Sequence, residues 1–404
     1  MMLSQPYKNL IGRCAVLFSA GTALQFLVGP VNPLFLAYPW GIVLAVNYLY
    51  VLILLYCQAD KWKWVKKWYD RPACIVSLVS LLILTLFFGL IRQDASTDGL
   101  GGMLGFTDMT SSWIFNFFLI YFMTVMGFKS IDDLWNWKKR NLSVIVFHVA
   151  IFVVLASGIF GSGDKVRVKV ATTIGNPVQF GASNDNMRVE LPFAFRLTDF
   201  TLEEYPPRIH RVRGSQFSKE FVVVEDENME GVLDFWQVEC LEYLDMAGRL
   251  HPDSAYISMQ HVGATTAVYI KASHRETHQV AEGWVSCGSH IFDGSALALP
   301  DGSALVMPRR EVKKYLSSVE LDTYEGKKHL EISVNHPATV GSWKIYQSGY
   351  DSDRGRWSTL SILECVKDAW YMPVYVALWL ILAAGIWMLF HGWTMHGKRK
   401  EDKA

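Results

Sequence analysis

Six stretches of about twenty mostly apolar residues constrain this chain more than anything else in it: 10–29, 39–58, 73–92, 112–131, 141–161 and 369–391. A helix of that length crosses the hydrocarbon core of a bilayer, where the backbone has to satisfy its own hydrogen bonds. The runs therefore predict a membrane protein with an α-helical transmembrane bundle of about six helices. The first run lacks a small-residue cleavage site and a second span soon follows, so it predicts a retained helix and not a cleaved signal. Composition fits a chain partly in lipid and partly in water: 404 residues, 51% hydrophobic and 14% aromatic, with mean hydropathy +0.18. The formal net charge of +0 gives no electrostatic case for nucleic acid.

The placement of charge says more than its sum. Lys8 and Arg13 lie at the start, Lys61, Lys63, Lys66, Lys67 and Arg71 in 60–72, and Lys138, Lys139 and Arg140 in the next basic loop. The tail carries Lys398, Arg399, Lys400 and Lys403. All four segments fall on one side if every run spans, and the opposite loops contain only Arg92. Basic loops stay in the cytoplasm. Both termini are thus expected to be cytoplasmic, and residues 162–368 outside. Trp-x-Trp beside lysines recurs in KWKWVKKW and LWNWKKR, which reads as an interfacial belt with lysines on lipid phosphates.

The pattern changes after residue 161. KVRVKV, EFVVVE, AVYIKA and HLEISVNH alternate apolar and polar residues at period two, separated by turn signals. This predicts a large all-β extracytoplasmic domain, a β-sandwich or open barrel. The organisation is then a five-helix block over 1–161, a β-domain over 162–368, and a final helix with a basic tail over 369–404. No Gly-rich phosphate loop, G-x-S-x-G or H-E-x-x-H occurs. His274 and His278 have a metal-ligand spacing for a helix, but SHRETHQ follows a strand-like run and reads as a solvated loop. Cys240, Cys287 and Cys365 leave room for at most one bridge, with Cys240–Cys287 the pair to test.

One ionisable side chain lies within the run 141–161, His148. An unsatisfied polar group in hydrocarbon costs several kcal/mol, so an intramembrane ionisable residue is a functional candidate. The plain alternative is a hydrogen bond between helices, to Asn116 or Asn47. At about 100° per residue, Ala150, Ser157 and Gly161 share a face opposite His148. Small residues let helices approach closely, so that face is expected to pack inside the bundle and His148 to point away, towards a cavity or a partner. His148 lies eight residues past Arg140, about 12 Å along a helix and nearer the cytoplasmic side.

The segment 332–390 contains VNHP, YQSGYD and DAW before the last apolar run. It resembles the ResB/CcsB family of cytochrome c biogenesis proteins, whose pattern is a VN-x-P strand, a YQ-x-x-YD strand and a D-P/A-W entry to the terminal helix. Asn335, Pro337, Tyr346, Gln347, Tyr350, Asp351, Asp368 and Trp370 carry the match, and a structural role is expected for them. LPFAFRLTDFTLEEYPP (191–207) is similar to a second family pattern. A membrane histidine followed by an apolar run ending in Gly is a third, matched by His148 with Gly158 and Gly161. Members commonly have three helices before the outer domain, where this sequence predicts five, and 231–310 resembles nothing in the family pattern.

The resemblance implies a bacterial inner-membrane subunit that binds haem b, moves it outward and helps attach it to apocytochrome c. It implies a CcsA/ResC-like haem-handling partner as a separate chain, since no WGxxWxWD motif occurs here. His148 would be an axial ligand of the haem iron, with the second ligand from the partner. His391, at the cytoplasmic end of the last run, reads as interfacial. No catalytic residue is implied; this chain would be a non-catalytic subunit of a haem lyase. The rivals are a haem or small-molecule transporter without lyase function, and a membrane-anchored β-domain that senses or binds a ligand.

Overall fold

A computed structural model of the chain describes residues 5–94, 99–183, 187–251, 254–324 and 326–401, with side chains from Tyr7 to Phe390 within those ranges. It divides into two compact units, Met1–Lys165 with Asp368–Ala404, and Val166–Lys367.

Among its described residues the first unit holds six helices long and apolar enough to cross a membrane. They are α1 (Gln5–Val28), α2 (Trp40–Cys57), α3 (Arg71–Gly89), α4 (Trp113–Trp135), α5 (Leu142–Phe160) and α6 (Tyr371–Glu401). Asp70 caps α3 by accepting from the Ala73 N–H at 2.9 Å, satisfying one of the orphan donors of a helix start. α4 is the central helix: 56% of its apolar window is buried, against 11% to 22% in the others. Those others turn apolar side chains outward, with Leu27 81% and Leu86 69% exposed. An outer surface of that kind is disfavoured in water and suits lipid. α5 and α6 make the most extensive contact of any helix pair. Ala150 and Ser157 of α5 and Ala377 and Ala384 of α6 are all buried, as expected of the small-residue face.

The second unit contains β1 (Val166–Thr173), β2 (Pro177–Ser183), β3 (Arg188–Glu204), β4 (Arg208–Arg213), β5 (Gln216–Val223) and β6 (Glu230–Leu233). There follow β7 (Trp236–Gly248), β8 (Ile257–Ser258), β9 (Thr265–His274), β10 (Val280–Ser286), β11 (Leu297–Ala298) and β12 (Ala304–Val306). The last are β13 (Val312–Thr323), β14 (Gly326–Ser333), β15 (Ala338–Val340), β16 (Trp343–Tyr350) and β17 (Leu360–Lys367). Eight strands form one antiparallel sheet in the order β14-β13-β3-β2-β1-β17-β16-β15. Its two edges are joined by a tight turn with a Ser333–His336 bridge, so the sheet curls almost into a barrel. Val168, Val170, Leu191, Phe193, Phe195, Leu197 and Leu363 fill it.

The strands β4–β12 are an insertion between β3 and β13. They form two sheets, β10-β9-β7-β6 with β8 beside β7, and β11-β12-β4-β5. Both contribute to one core around Trp236, Ile209, Leu233, Ile270 and Leu305. The sequence leads one to expect a sandwich or an open barrel; the unit contains a nearly closed barrel carrying a sandwich. Period-two alternation reports only that a strand has one buried face, and both architectures supply that. All six cysteines are free thiols. Cys365 belongs to the barrel core and Cys240 to the sandwich core. Burial pushes their thiols up to about 12 and about 11 respectively, which keeps them protonated and unreactive.

Candidate functional site: a helix histidine on a buried aspartate

The apolar run that precedes His148 ends at residue 131, but the helix does not. α4 continues to Trp135, because backbone hydrogen bonding and not hydropathy ends a helix. Its last turns carry Lys129, Asp132 and Asp133. A 3₁₀ turn over Trp137–Lys139 then reverses the chain into α5, bringing Arg140 and His148 back alongside.

His148 Nδ1 lies 2.6 Å from Asp133 Oδ2. The Asp133 side chain is only 1% exposed, and that of His148 is 22% exposed. The other carboxylate oxygen of Asp133 accepts from Lys129 Nζ at 2.8 Å and faces Arg140 Nε at 3.4 Å. Asp132 faces the same two cations, Lys129 at 3.3 Å and Arg140 Nη2 at 3.2 Å, and accepts from Tyr56 Oη at 3.1 Å. Two carboxylates thus face two cations, and the His148 imidazole is the fifth member. Pairing of this kind is what makes charge tolerable at the end of an apolar helix. His148 Nε2 has no hydrogen-bond partner among the described residues.

His148 does make a hydrogen bond between helices, but to Asp133 and not to Asn116 or Asn47. Asn47 donates to the Val43 carbonyl of its own helix, and Asn116 donates to the Thr110 and Ser112 carbonyls. Nor does the ring point away from the bundle, since Asp133 of α4 holds it. Asp133 was hidden by the hydropathy count; the signal that finds it is Lys129–Asp133 at i,i+4 in KSIDD, an ion-pair spacing on one helix face. The side chain of His391 lies outside the described residues.

The remaining motif residues lie in turns, at a bulge, in ring contacts and at the start of the last helix. Asn335 has φ +66°, the left-handed region that Asn tolerates, in the turn joining β14 to β15, and Pro337 leads into β15. Gln347 is buried at a bulge between β16 and β17 and donates to the Gly349 carbonyl and Ser361 Oγ. Tyr346 is partly exposed on the same strand, and the Tyr350 ring packs at a tilt against Phe200 and Tyr315. Asp351 accepts from the N–H groups of Asp353 and Arg354. Asp368 accepts from the Trp370 N–H just before α6, and Trp370 Nε1 donates to Asp164 at 2.8 Å. Trp370 also lies on Gly161, where a Cβ would stand 2.3 Å from its ring. That is why a glycine ends α5.

His274 Nδ1 accepts from the N–H groups of Glu276 and Thr277, so its ring shapes the turn that follows β9. Trp62 and Trp64 stack at 6.3 Å and are half exposed, and Trp135 and Trp137 beside the other basic loop are more exposed still. A second polar cluster joins the barrel to the inserted sandwich. Arg310 and Arg356 each reach both Glu204 of β3 and Asp245 of β7, beside a cavity of about 100 Å³. Burial raises the Asp245 carboxyl, but the guanidinium groups of Arg356 and Arg310 outweigh it and hold the group below its ordinary range.

No model of a known protein family matches this chain. No curated protein matches it either.

Proposed function

We propose that this chain is the ResB-like half of a two-protein cytochrome c synthase, spanning a bacterial inner membrane with its β-domain in the periplasm. It receives haem b in the membrane, and with a CcsA/ResC-like partner it passes the haem outward for attachment to apocytochrome c. The observation that carries the reading is the state of His148. One ring nitrogen is engaged by a buried carboxylate, and the other has no partner among the described residues. Metal-ligating histidines are commonly held this way. A single imidazole is what one side of a haem iron takes, so the donor set fits the cargo. The sequence patterns around Asn335, Tyr350 and Trp370 supply the family context.

The β-domain then needs no catalytic side chain. Joining haem to reduced cysteines requires placement and exclusion of water, and its role is to orient. His148 offers the axial nitrogen near the side on which the basic loops lie. The separate partner offers the second.

The test is complementation. Cells lacking this chain should lose all covalent haem staining of c-type cytochromes and regain it with the wild-type chain. His148→Ala should restore little at normal protein level, and imidazole in the medium should raise staining several-fold by supplying the missing nitrogen. Full complementation by His148→Ala would end the proposal.

A further inference from the structure

We infer that Asp133 is the positioning residue of the haem-binding imidazole, fixing which nitrogen of His148 faces the iron. This rests on the reading of His148 as a haem ligand and adds a residue that the sequence patterns do not contain. A carboxylate only accepts hydrogen bonds, so at 2.6 Å from Oδ2 the Nδ1 atom is the donor and carries the proton. A neutral imidazole has one N–H, and Nε2 therefore holds the lone pair. The carboxylate cannot swing aside to release the ring. Its other oxygen is bound by Lys129 and Arg140, and its side chain is 1% exposed. Lys129 is in turn held by Asp132, which also accepts from Tyr56 of α2. Three helices thus set one ring orientation, and hydrogen bonding to a carboxylate strengthens the imidazole as a donor to a metal.

The rival role for Asp133 is to hold α4 against α5. That role is indifferent to tautomer and to iron, so the experiment reads both. The full-length chain, free of haem and in lipid nanodiscs, is labelled with ¹⁵N in its histidine rings, and the His148 signal is assigned by its loss in His148→Ala. The wild type should show one fixed tautomer, protonated at Nδ1 and bare at Nε2. Asp133→Ala should show exchange between the two tautomers. A wild-type ring already averaging between tautomers, or one left unchanged by Asp133→Ala, overturns the inference, and the wild-type spectrum decides even if the variant does not fold. In the haem-loaded complex with the partner, Asp133→Asn keeps shape and removes charge. It should shift the haem midpoint potential to more positive values, because a weaker imidazole donor favours the ferric state less. An unchanged potential overturns the inference. Haem retained in full by His148→Ala overturns the ligand reading beneath it, and the ring-nitrogen spectra still report the Asp133–His148 coupling separately.

Discussion

Burial alone would raise the carboxyl of Asp301, in the turn between β11 and β12. The hydroxyl and N–H of Ser303, the Trp236 indole N–H and Arg211 instead hold it well below the ordinary carboxylate range. A carboxylate whose folded pKa is depressed adds stability above its unfolded pKa of about 4, and that stability is lost as pH falls through the folded value. The inserted sandwich should therefore open more readily as pH drops below about 4. Asp301→Asn should weaken it by about 1–3 kcal/mol at neutral pH, since Trp236 and Arg211 lose a charged acceptor. Hydrogen exchange of β7 and β12 in the full chain measures this; unchanged protection in the variant contradicts it. At this scale the sequence was half legible. His148 stood out because hydropathy isolates an ionisable residue in a run. Asp133 did not, because its burial is made by a second helix and three neighbouring charges.

Helices were legible as elements, since hydrocarbon length and helix rise fix the same number of residues. Their ends were not, and two of the four residues of α4 past its apolar run, Asp132 and Asp133, supply the carboxylates of the site. Where α5 meets α6, Gly161→Leu would drive a side chain into the Trp370 ring. Overpacking of this kind costs about 1–3 kcal/mol. A drop in the detergent-solubilised melting temperature with Trp370 fluorescence lost first is the expected result, and no change in melting would show that the contact carries no packing energy. Topology belongs to the same scale. A reporter fused after Gly105 should be active only as a periplasmic reporter, because Arg92 is the one basic residue in the loops on that side. A cytoplasmic signal there would remove α3 and α4 as spans.

For the whole molecule, the sequence pattern distinguished helical from strand-built halves and left the strand partners open. Pairing of β3 with β13 joins residues separated by the entire sandwich, and no local pattern encodes that. The insertion leaves and returns at one point, with the Tyr205 N–H donating to the Glu311 carbonyl at 2.8 Å. Replacing 206–310 by a short Gly-rich turn should leave the barrel folded, with exchange protection of the paired strands β1 and β17 intact; collapse of that protection would mean the barrel depends on its contacts with the sandwich. One spectrum tests the haem ligation by His148 most directly. The tagged chain is purified from its native membrane with whatever accompanies it, and the visible spectrum and pyridine haemochrome are recorded for wild type and His148→Ala. The expected result is non-covalent haem b in the wild type, lost in His148→Ala at equal protein recovery and partly regained with imidazole. Haem absent from the wild type, or present in undiminished amount and with the same spectrum in His148→Ala, contradicts it.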